Sequence, residues 1–370
     1  MHVVQLITKP QRRGAELFAL DLSTAFTRLG VESTIVCLYR HNGEQLPLRA
    51  GDVRLEADEH SRFERLANPL LVANLVAALA RLRPDVVQAN GGRSLKYAAI
   101  VRPLAARDAA WVYRNIDSPA FWLRSWRAKQ VLPRMVTRTF DGAVCVSRAT
   151  LDEVRAIYGF EGTSAVIENG VDFSRLDSSR TRAAVRAELA LDDARPIALW
   201  AGALSQQKRP DRLVRLLASV PDLQLVVIGE GPYRQRLEAE VGAGGFSART
   251  RILGNRADVG AIMRSCDFLI VTSDTEGMPA VVLEAQHCGL PVISYDVGGI
   301  REAVSFESGI LVSAADERAF AEAVSRLVHG VEKQVSLSEN ARVNARRFDV
   351  SLIAARYLAF YADIVARRRS

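Results

Sequence analysis

The apolar positions of this chain fall into short unbroken runs, separated by longer stretches in which apolar residues recur every three or four positions. HVVQLI (2–7), STIVCL (33–38), PDVVQA (84–89), AAWVY (109–113), GAVCV (142–146) and SAVIE (164–168) read as strands buried on both faces. Helical periodicity lies between them, at 14–29, 62–83, from 94, from 121 and up to 158. The segment 172–182, DFSRLDSSRTR, has no apolar period and reads as a linker. The pattern then restarts with PIALWAG (196–202), LQLVVIG (223–229), RILG (251–254), DFLIV (267–271), PVISY (291–295) and GILV (309–312), with helices at 211–220, 233–241, from 257 and through 280–289. Strands that alternate with helices predict parallel sheets covered on both faces. The fold expected is α/β: two doubly wound, Rossmann-like parallel-sheet domains, 1–176 and 177–349, facing across a cleft in which a ligand sits at the strand C-termini. Residues 350–370 form an amphipathic helix, with Ile353, Tyr357, Phe360, Tyr361 and Ile364 on one stripe, expected to pack back on the first domain.

A chain of 370 residues exceeds what one core usually supports, in keeping with two domains. No apolar run is long enough to span a bilayer, and the N-terminus lacks the charge order of a secretory signal. Cys37, Cys145, Cys266 and Cys288 stand singly in apolar runs, with neither metal-ligand spacing nor a disulfide framework, so a cytoplasmic location is expected. The net charge of +7 is spread over most helices, and lysine occurs only at positions 9, 96, 129, 208 and 333, the remaining basic residues being Arg. That distribution argues against nucleic acid as a partner. The densest cluster, Arg124, Arg127, Lys129, Arg134 and Arg138 interleaved with Phe121, Trp122, Leu123 and Trp126, suits either an anionic membrane surface or a solvated helix face with buried aromatics.

The chemistry concentrates in loops at strand ends. In SDTEGMPAVVLEA (273–285), Glu276 lies in a turn after a strand and Glu284 in the helix that follows, with Pro279 at the helix start. Free backbone N–H groups at such a helix start favour an anion, although a Glu near the start of a helix also simply offsets the helix dipole. KPQRRGAE (9–16) carries Arg13 and Gly14, the latter permitting close approach of a phosphate. GALSQQKRP (202–210) offers Gly202 and the point charges of Lys208 and Arg209 for a pyrophosphate. DVGGIRE (296–302) adds two further glycines. Neither half carries G-x-G-x-x-G after its first strand, so ordinary NAD binding is not supported; no Walker A run is present, and the G-x-G at Gly229 and Gly231 is a weak signal.

Together these loops resemble the GT4 family of retaining, GT-B fold glycosyltransferases over nearly the whole chain. EGMPAVVLE is similar to that family's Glu-x7-Glu motif and GALSQQKRP to its pyrophosphate loop; RGAE, PDVVQANG, VIENGVDFSRL, VIGEGPYRQRLE and PVISYDVGGIREAV follow in matching order. The resemblance implies a nucleotide-sugar donor and a glycan, lipid-linked or small-molecule acceptor. It implies that Glu284 accepts hydrogen bonds from the donor ribose, and that Glu276 with Gly277, Met278 and Pro279 holds the transferred sugar. Lys208, with Arg209 and the N–H groups of Ala280 and Val281, would neutralise the leaving diphosphate, and the stretch Leu253-Gly254-Asn255 would hold the base. It further implies front-side attack with retention and no metal or other cofactor. Ala203 stands where many members have Arg, and Ile116 where many have His; Arg114, Asn115 and Asp117, with Arg13, are the acceptor-side candidates. An epimerase of similar architecture would need acid–base residues, and histidine is scarce. A glycosidase reading of the two glutamates leaves Lys208 unexplained, and a non-catalytic sugar-nucleotide binder stays open.

Overall fold

The computed structural model describes residues 1–43, 45–59, 67–122 and 134–369. The chain divides into two compact units, 1–171 with 350–370, and 172–349.

The first unit is built on a seven-stranded sheet: β1 (His2–Ile7), β2 (Glu32–Tyr39), β3 (Val53–Ala57), β4 (Val86–Asn90), β5 (Ala110–Asn115), β6 (Gly142–Cys145) and β7 (Thr163–Val166). Their order is β3-β2-β1-β4-β5-β6-β7, and every pairing is parallel. Adjacent residues of each strand feed opposite cores, because side chains alternate across a pleat. Val4, Val87, Trp111 and Ala143 enter one cluster, whereas Val3, Val86, Val112 and Val144 enter the other. That two-sided burial produces the continuous apolar runs in the sequence. β3 departs from this pattern: its five residues alternate between half-buried and exposed, as suits a sheet edge, and the apolar pattern did not predict it.

The helix Val350–Arg369 closes the second of these cores. Tyr357 and Tyr361 lie against Phe18 and Phe26 with ring centroids 5.9 Å apart in each pair. Gly142 at the start of β6 gives this helix room, since a Cβ there would overlap Ile364.

The second unit has six parallel strands: β8 (Ile197–Ala201), β9 (Gln224–Ile228), β10 (Thr250–Ile252), β11 (Phe268–Val271), β12 (Val292–Tyr295) and β13 (Gly309–Val312). Their order is β10-β9-β8-β11-β12-β13. Two helices, Glu317–Val328 and Val331–Ala345, follow β13 where no element was expected. The linker segment also holds structure: a 3-10 turn at Phe173–Leu176 and a helix from Arg182 to Glu188.

In each sheet the chain order reverses once at an inner pair of strands, β1 beside β4 and β8 beside β11. At such a reversal the following loops diverge to opposite faces and leave a crevice at the strand C-termini. The loops after β8 and β11 are those that carry Lys208 and Glu276. All four cysteines are buried and free, and among the described residues no helix is long and apolar enough to cross a membrane.

Candidate active site

Four hydrogen bonds bring β8 and the loop after it together with the loop after β11. The Thr272 hydroxyl accepts from Trp200 Nε1 at 3.0 Å and donates to the Lys208 carbonyl at 2.9 Å. Asp274 N donates to Gln207 O at 2.9 Å, and Gln207 Nε2 donates to Thr275 O at 3.1 Å. So fixed, Lys208 Nζ donates to both oxygens of Glu276, at 2.6 and 2.7 Å. Ser273 Oγ adds a third donor to the same carboxylate at 2.5 Å. Glu276 is only 5% exposed, so these three contacts stand in for the water it has lost.

The neighbouring DVGG loop supports Glu276 from behind. Gly299 N donates to the Glu276 carbonyl at 3.0 Å. Gly298 sits at φ +55°, and a Cβ there would overlap the same carbonyl oxygen, so only glycine lets the two loops meet.

Past Gly277 and Met278, both buried, the chain enters the helix Ala280–His287 with Pro279 as its N-cap. Proline carries no side-chain acceptor, and the helix start has no side-chain cap. Its first N–H groups, those of Ala280 and Val281, stay available to an anion, with the positive end of the helix dipole behind them. One turn on, Glu284 is largely buried and Arg175 Nη2 lies 3.7 Å from its Oε1. Loss of water raises the Glu284 carboxyl above the ordinary glutamate value, and Arg175 offsets this only in part.

Arg209 takes a different course from Lys208. Its backbone is left-handed, at φ +51°. Its guanidinium grips Asp211 through Nε and Nη2, both at 2.9 Å, and reaches Asp274 at 3.2 Å. The mutual bonds hold Arg209 above its usual pKa and Asp211 well below the carboxylate range. Arg209 is thus committed to carboxylates, and Lys208 is the cation turned toward Glu276. Arg212, almost wholly buried, anchors the loop by donating to Thr272 O at 2.6 Å and pairing with Asp274 at 2.9 Å.

The glycines of GEG, a weak signal in sequence, have a defined purpose here. Gly229 at φ +129° and Gly231 at φ +159° face Gly202 and Leu204, whose carbonyl oxygens would overlap a Cβ at either position. Leu204 N donates to Glu230 O at 2.9 Å, locking the two loops backbone to backbone. Gly254, at φ +69°, joins the same wall through its carbonyl, which accepts from Gly229 N at 2.8 Å. Leu253 is half-buried and Asn255 exposed at this edge.

In the first unit, Gly14 opens the helix Gly14–Arg28 with Arg13 as an exposed, side-chain-uncapped N-cap. Glu16 is buried and accepts from Gln11 Nε2 at 3.0 Å, and desolvation raises its carboxyl. The acceptor-side expectation for Arg114 needs correction. Arg114 is completely enclosed, stacked over Phe18 at 4.0 Å and donating to Asn90 Oδ1 at 3.2 Å and to Asn169. It binds a buried polar layer and presents no face to a ligand. Asn115 is likewise internal, accepting from Tyr113 and donating to the Asp117 carbonyl at 3.0 Å. Asp117 stays half-buried, its carboxylate accepting from Ser118 N at 2.8 Å. Of the basic–aromatic cluster, Leu123, Arg124, Trp126, Arg127 and Lys129 lie outside the described residues.

Sequence reading had not singled out Ser273, Arg212 or Arg175. Ser273 had a legible signal, a hydroxyl three residues before Glu276 in a tight turn; the other two act through contacts 60 or more positions away. Among the described residues no three His, Cys, Asp or Glu side chains gather as a metal site would require.

Two family models match this chain. One, described as glycosyl transferases group 1, covers residues 181–344; the other, described as glycosyltransferase family 4, covers residues 12–175. A D-inositol 3-phosphate glycosyltransferase from Salinispora tropica is 32% identical over 227 residues, which is 55% of this chain and 47% of that protein. The chain spans about half the length of the curated relatives it matches. Among solved structures, sucrose-phosphate synthase from Thermosynechococcus elongatus aligns with a TM-score of 0.86 at 21% identity, over 99% of both chains. HepE from Anabaena, in complex with UDP and glucose, aligns with a TM-score of 0.84 at 22% identity, over 98% of this chain and 100% of its own. One family model falls on each half, and the chain belongs to glycosyltransferase family 4, with the GT-B fold.

Proposed function

We propose that this protein is a retaining glycosyltransferase that moves a sugar from a nucleoside diphosphate sugar, UDP- or GDP-linked, to an acceptor hydroxyl without a metal ion. The observation that carries the reading is the Lys208–Glu276 pair set beside the uncapped start of the helix Ala280–His287. An ammonium has three N–H donors, and two are engaged with Glu276; the third has no partner among the described residues and can meet a phosphate oxygen. Lys208 and the N–H groups of Ala280 and Val281 form an electrostatic clamp for the departing diphosphate. Glu276, with the backbone of Gly277 and Met278, holds the sugar hydroxyls, and Glu284 accepts from the ribose. Leu253 and Asn255 take the base. UDP and glucose in the structurally similar HepE support this class of donor.

In the reaction, the acceptor oxygen bonds to the anomeric carbon on the face from which the phosphate leaves. The carbon–oxygen bond to the diphosphate breaks, its electron pair stays on the phosphate, and that oxygen takes the acceptor proton. Configuration is retained, and a nucleoside diphosphate is released. The acceptor is a lipid-linked, polysaccharide or small-molecule hydroxyl. The cluster 121–138 supports a cytoplasmic enzyme seated peripherally on the membrane.

The test is nucleoside diphosphate release from a panel of nucleotide sugars, with and without acceptors and with and without EDTA. Release should require Lys208 and Glu284 and survive chelation; release unchanged in Lys208→Ala and Glu284→Ala sinks the site assignment. Epimerised donor without transfer would mark an epimerase instead. Co-sedimentation with anionic liposomes, compared with an Arg124/Arg127/Arg134 charge-reversal variant, tests the membrane seat, and absence of binding by wild type defeats it.

A further inference from the structure

A second polar cavity lies in the unit 172–349, at the opposite end of the sheet from Lys208 and Glu276. It has a volume of about 430 Å³ and is lined by Arg182, Arg264, Arg342, His287, Gln334 and Ser338, among others, with Asp267 its one carboxylate among the described residues. Asp267 precedes β11 and Leu290 precedes β12, which puts the cavity at the strand N-termini. The volume suits a small metabolite.

Among the described residues the charges around it do not balance. Asp267 is already taken up by Arg182, by Arg186 at 3.2 Å and by Ile197 N at 2.7 Å. Arg264 donates to the Leu176 carbonyl at 2.6 Å, and its nearest carboxylate, Asp177, is 3.8 Å away and exposed. Arg342 makes no hydrogen bond or ion pair with any described residue. Arg342 is exposed, and its guanidinium lies over Gly289, at φ +80°, where a Cβ would overlap it. A guanidinium at the mouth of a polar cavity, with its donors unspent among the described residues, matches a phosphoryl group in charge and fork geometry.

Two residues of the cavity lining, His287 and Arg264, hold the turn that carries Arg175 toward Glu284. His287 stacks on Phe173 with ring centroids 4.1 Å apart and planes 5° apart, and Arg264 holds Leu176. Between these two anchors on the turn Phe173–Leu176 stands Arg175, the residue beside Glu284. His287 also ends the helix that bears Glu284. We propose that this cavity is a regulatory site for a phosphate-bearing metabolite, whose occupation alters nucleotide binding through the Phe173–Leu176 turn. The regulatory half rests on the donor-site reading above; the binding half does not.

The experiment titrates inorganic phosphate, at constant ionic strength, into the full chain by calorimetry, and measures the affinity for UDP or GDP, whichever the wild type binds, with and without phosphate. Arg342→Ala should weaken phosphate binding about tenfold or more, as the loss of a charge-assisted pair does. Ser338→Glu, which places a carboxylate in the cavity, should abolish it, and Lys208→Ala should leave it intact. Phosphate should shift nucleotide affinity in wild type several-fold and have no such effect in Arg342→Ala. Equal phosphate affinity in wild type and both cavity variants overturns the proposal, as does its loss in Lys208→Ala or a nucleotide effect that persists in Arg342→Ala, which would be competition at the donor loops. Cavity-dependent phosphate binding by a protein that binds neither UDP nor GDP would refute the donor-site reading and leave the binding half standing.

Discussion

Lys208 Nζ bonds both oxygens of Glu276, at 2.6 and 2.7 Å, and Glu276 is the more buried partner, with 6% of its side chain exposed against 23% for Lys208. Taking away the lysine strands a buried carboxylate with Ser273 as its remaining side-chain donor. Lys208→Met should therefore cost about 3 kcal/mol of stability, the order found when one member of a buried pair is deleted. The double variant Lys208→Met/Glu276→Gln should be less destabilised than the sum of the two single variants by about 1–3 kcal/mol. Urea unfolding of the four proteins measures this coupling, and strict additivity would show that the pair is not energetically linked.

Glu284 should show stability opposed to function. Burial raises its carboxyl in the folded protein, with Arg175 a partial offset. For a raised carboxyl the stabilising contribution is full below the unfolded value, about 4.3, and is lost as pH rises through the folded value. At pH 7 the wild type therefore carries the cost of a charged, poorly hydrated group. Glu284→Gln should melt higher than wild type at neutral pH, and the difference should shrink on acidification toward the unfolded value. Nucleoside diphosphate affinity should fall about tenfold, the worth of a hydrogen bond to a charged group. Thermal melts across that pH range, paired with a nucleotide titration, check both; a Glu284→Gln protein that melts lower at pH 7 would mean the Arg175 contact outweighs burial.

The glycines behind the donor loops should rank by what their Cβ would strike. At Gly298 and Gly229 a Cβ meets a carbonyl oxygen, of Glu276 and Gly202 respectively, whereas at Gly30, φ +76°, it meets nothing within 4 Å. Gly30→Ala should cost only the strain of a left-handed alanine, about 1 kcal/mol. Gly298→Ala and Gly229→Ala should cost more, because a backbone must also move, and should weaken nucleotide binding where Gly30→Ala does not. Comparable losses in all three would show that conformation alone matters and that the loop-to-loop contacts are dispensable.

These glycines also mark where sequence reading stops. The strands were legible because both faces are buried, so that Val3 and Val4, or Val226 and Val227, are apolar in succession. β3 was not: VRLEA has one solvated face at a sheet edge and only two strongly apolar residues. The helices after β13 went unassigned although Phe320, Val324 and Leu327 carry a helical period onto the core. At the site, the lysine and both glutamates could be singled out from loop chemistry, and the structure brings Lys208 and Glu276 into direct contact. Arg114 misled because a polar residue at a strand end looks the same in sequence whether it faces a ligand or a buried layer of Asn90 and Asn169. Nor does spacing reveal that adjacent cations, Lys208 and Arg209, turn to different carboxylates.

That divergence yields the last prediction. Arg209 is held by Asp211 in a two-point contact and by Asp274, and Lys208 has an N–H donor to spare among the described residues. Lys208→Ala should thus weaken nucleoside diphosphate binding far more than Arg209→Ala, which should act chiefly on stability. The pH signature separates the two roles. Asp211 sits well below the ordinary carboxylate range, first because of its bonds to Arg209 and then because of Arg215. A depressed carboxyl contributes stability that is present above its unfolded value, about 3.9, and is lost as pH falls through the folded value. Asp211→Asn should therefore melt below wild type at pH 7, with the gap closing only in strong acid. It should also release Arg209 in part, so that nucleotide affinity holds or rises. Were Arg209→Ala to lose as much affinity as Lys208→Ala, the Arg209–Asp211 contact would have to open on donor binding, and Asp211→Asn would then bind markedly tighter than wild type.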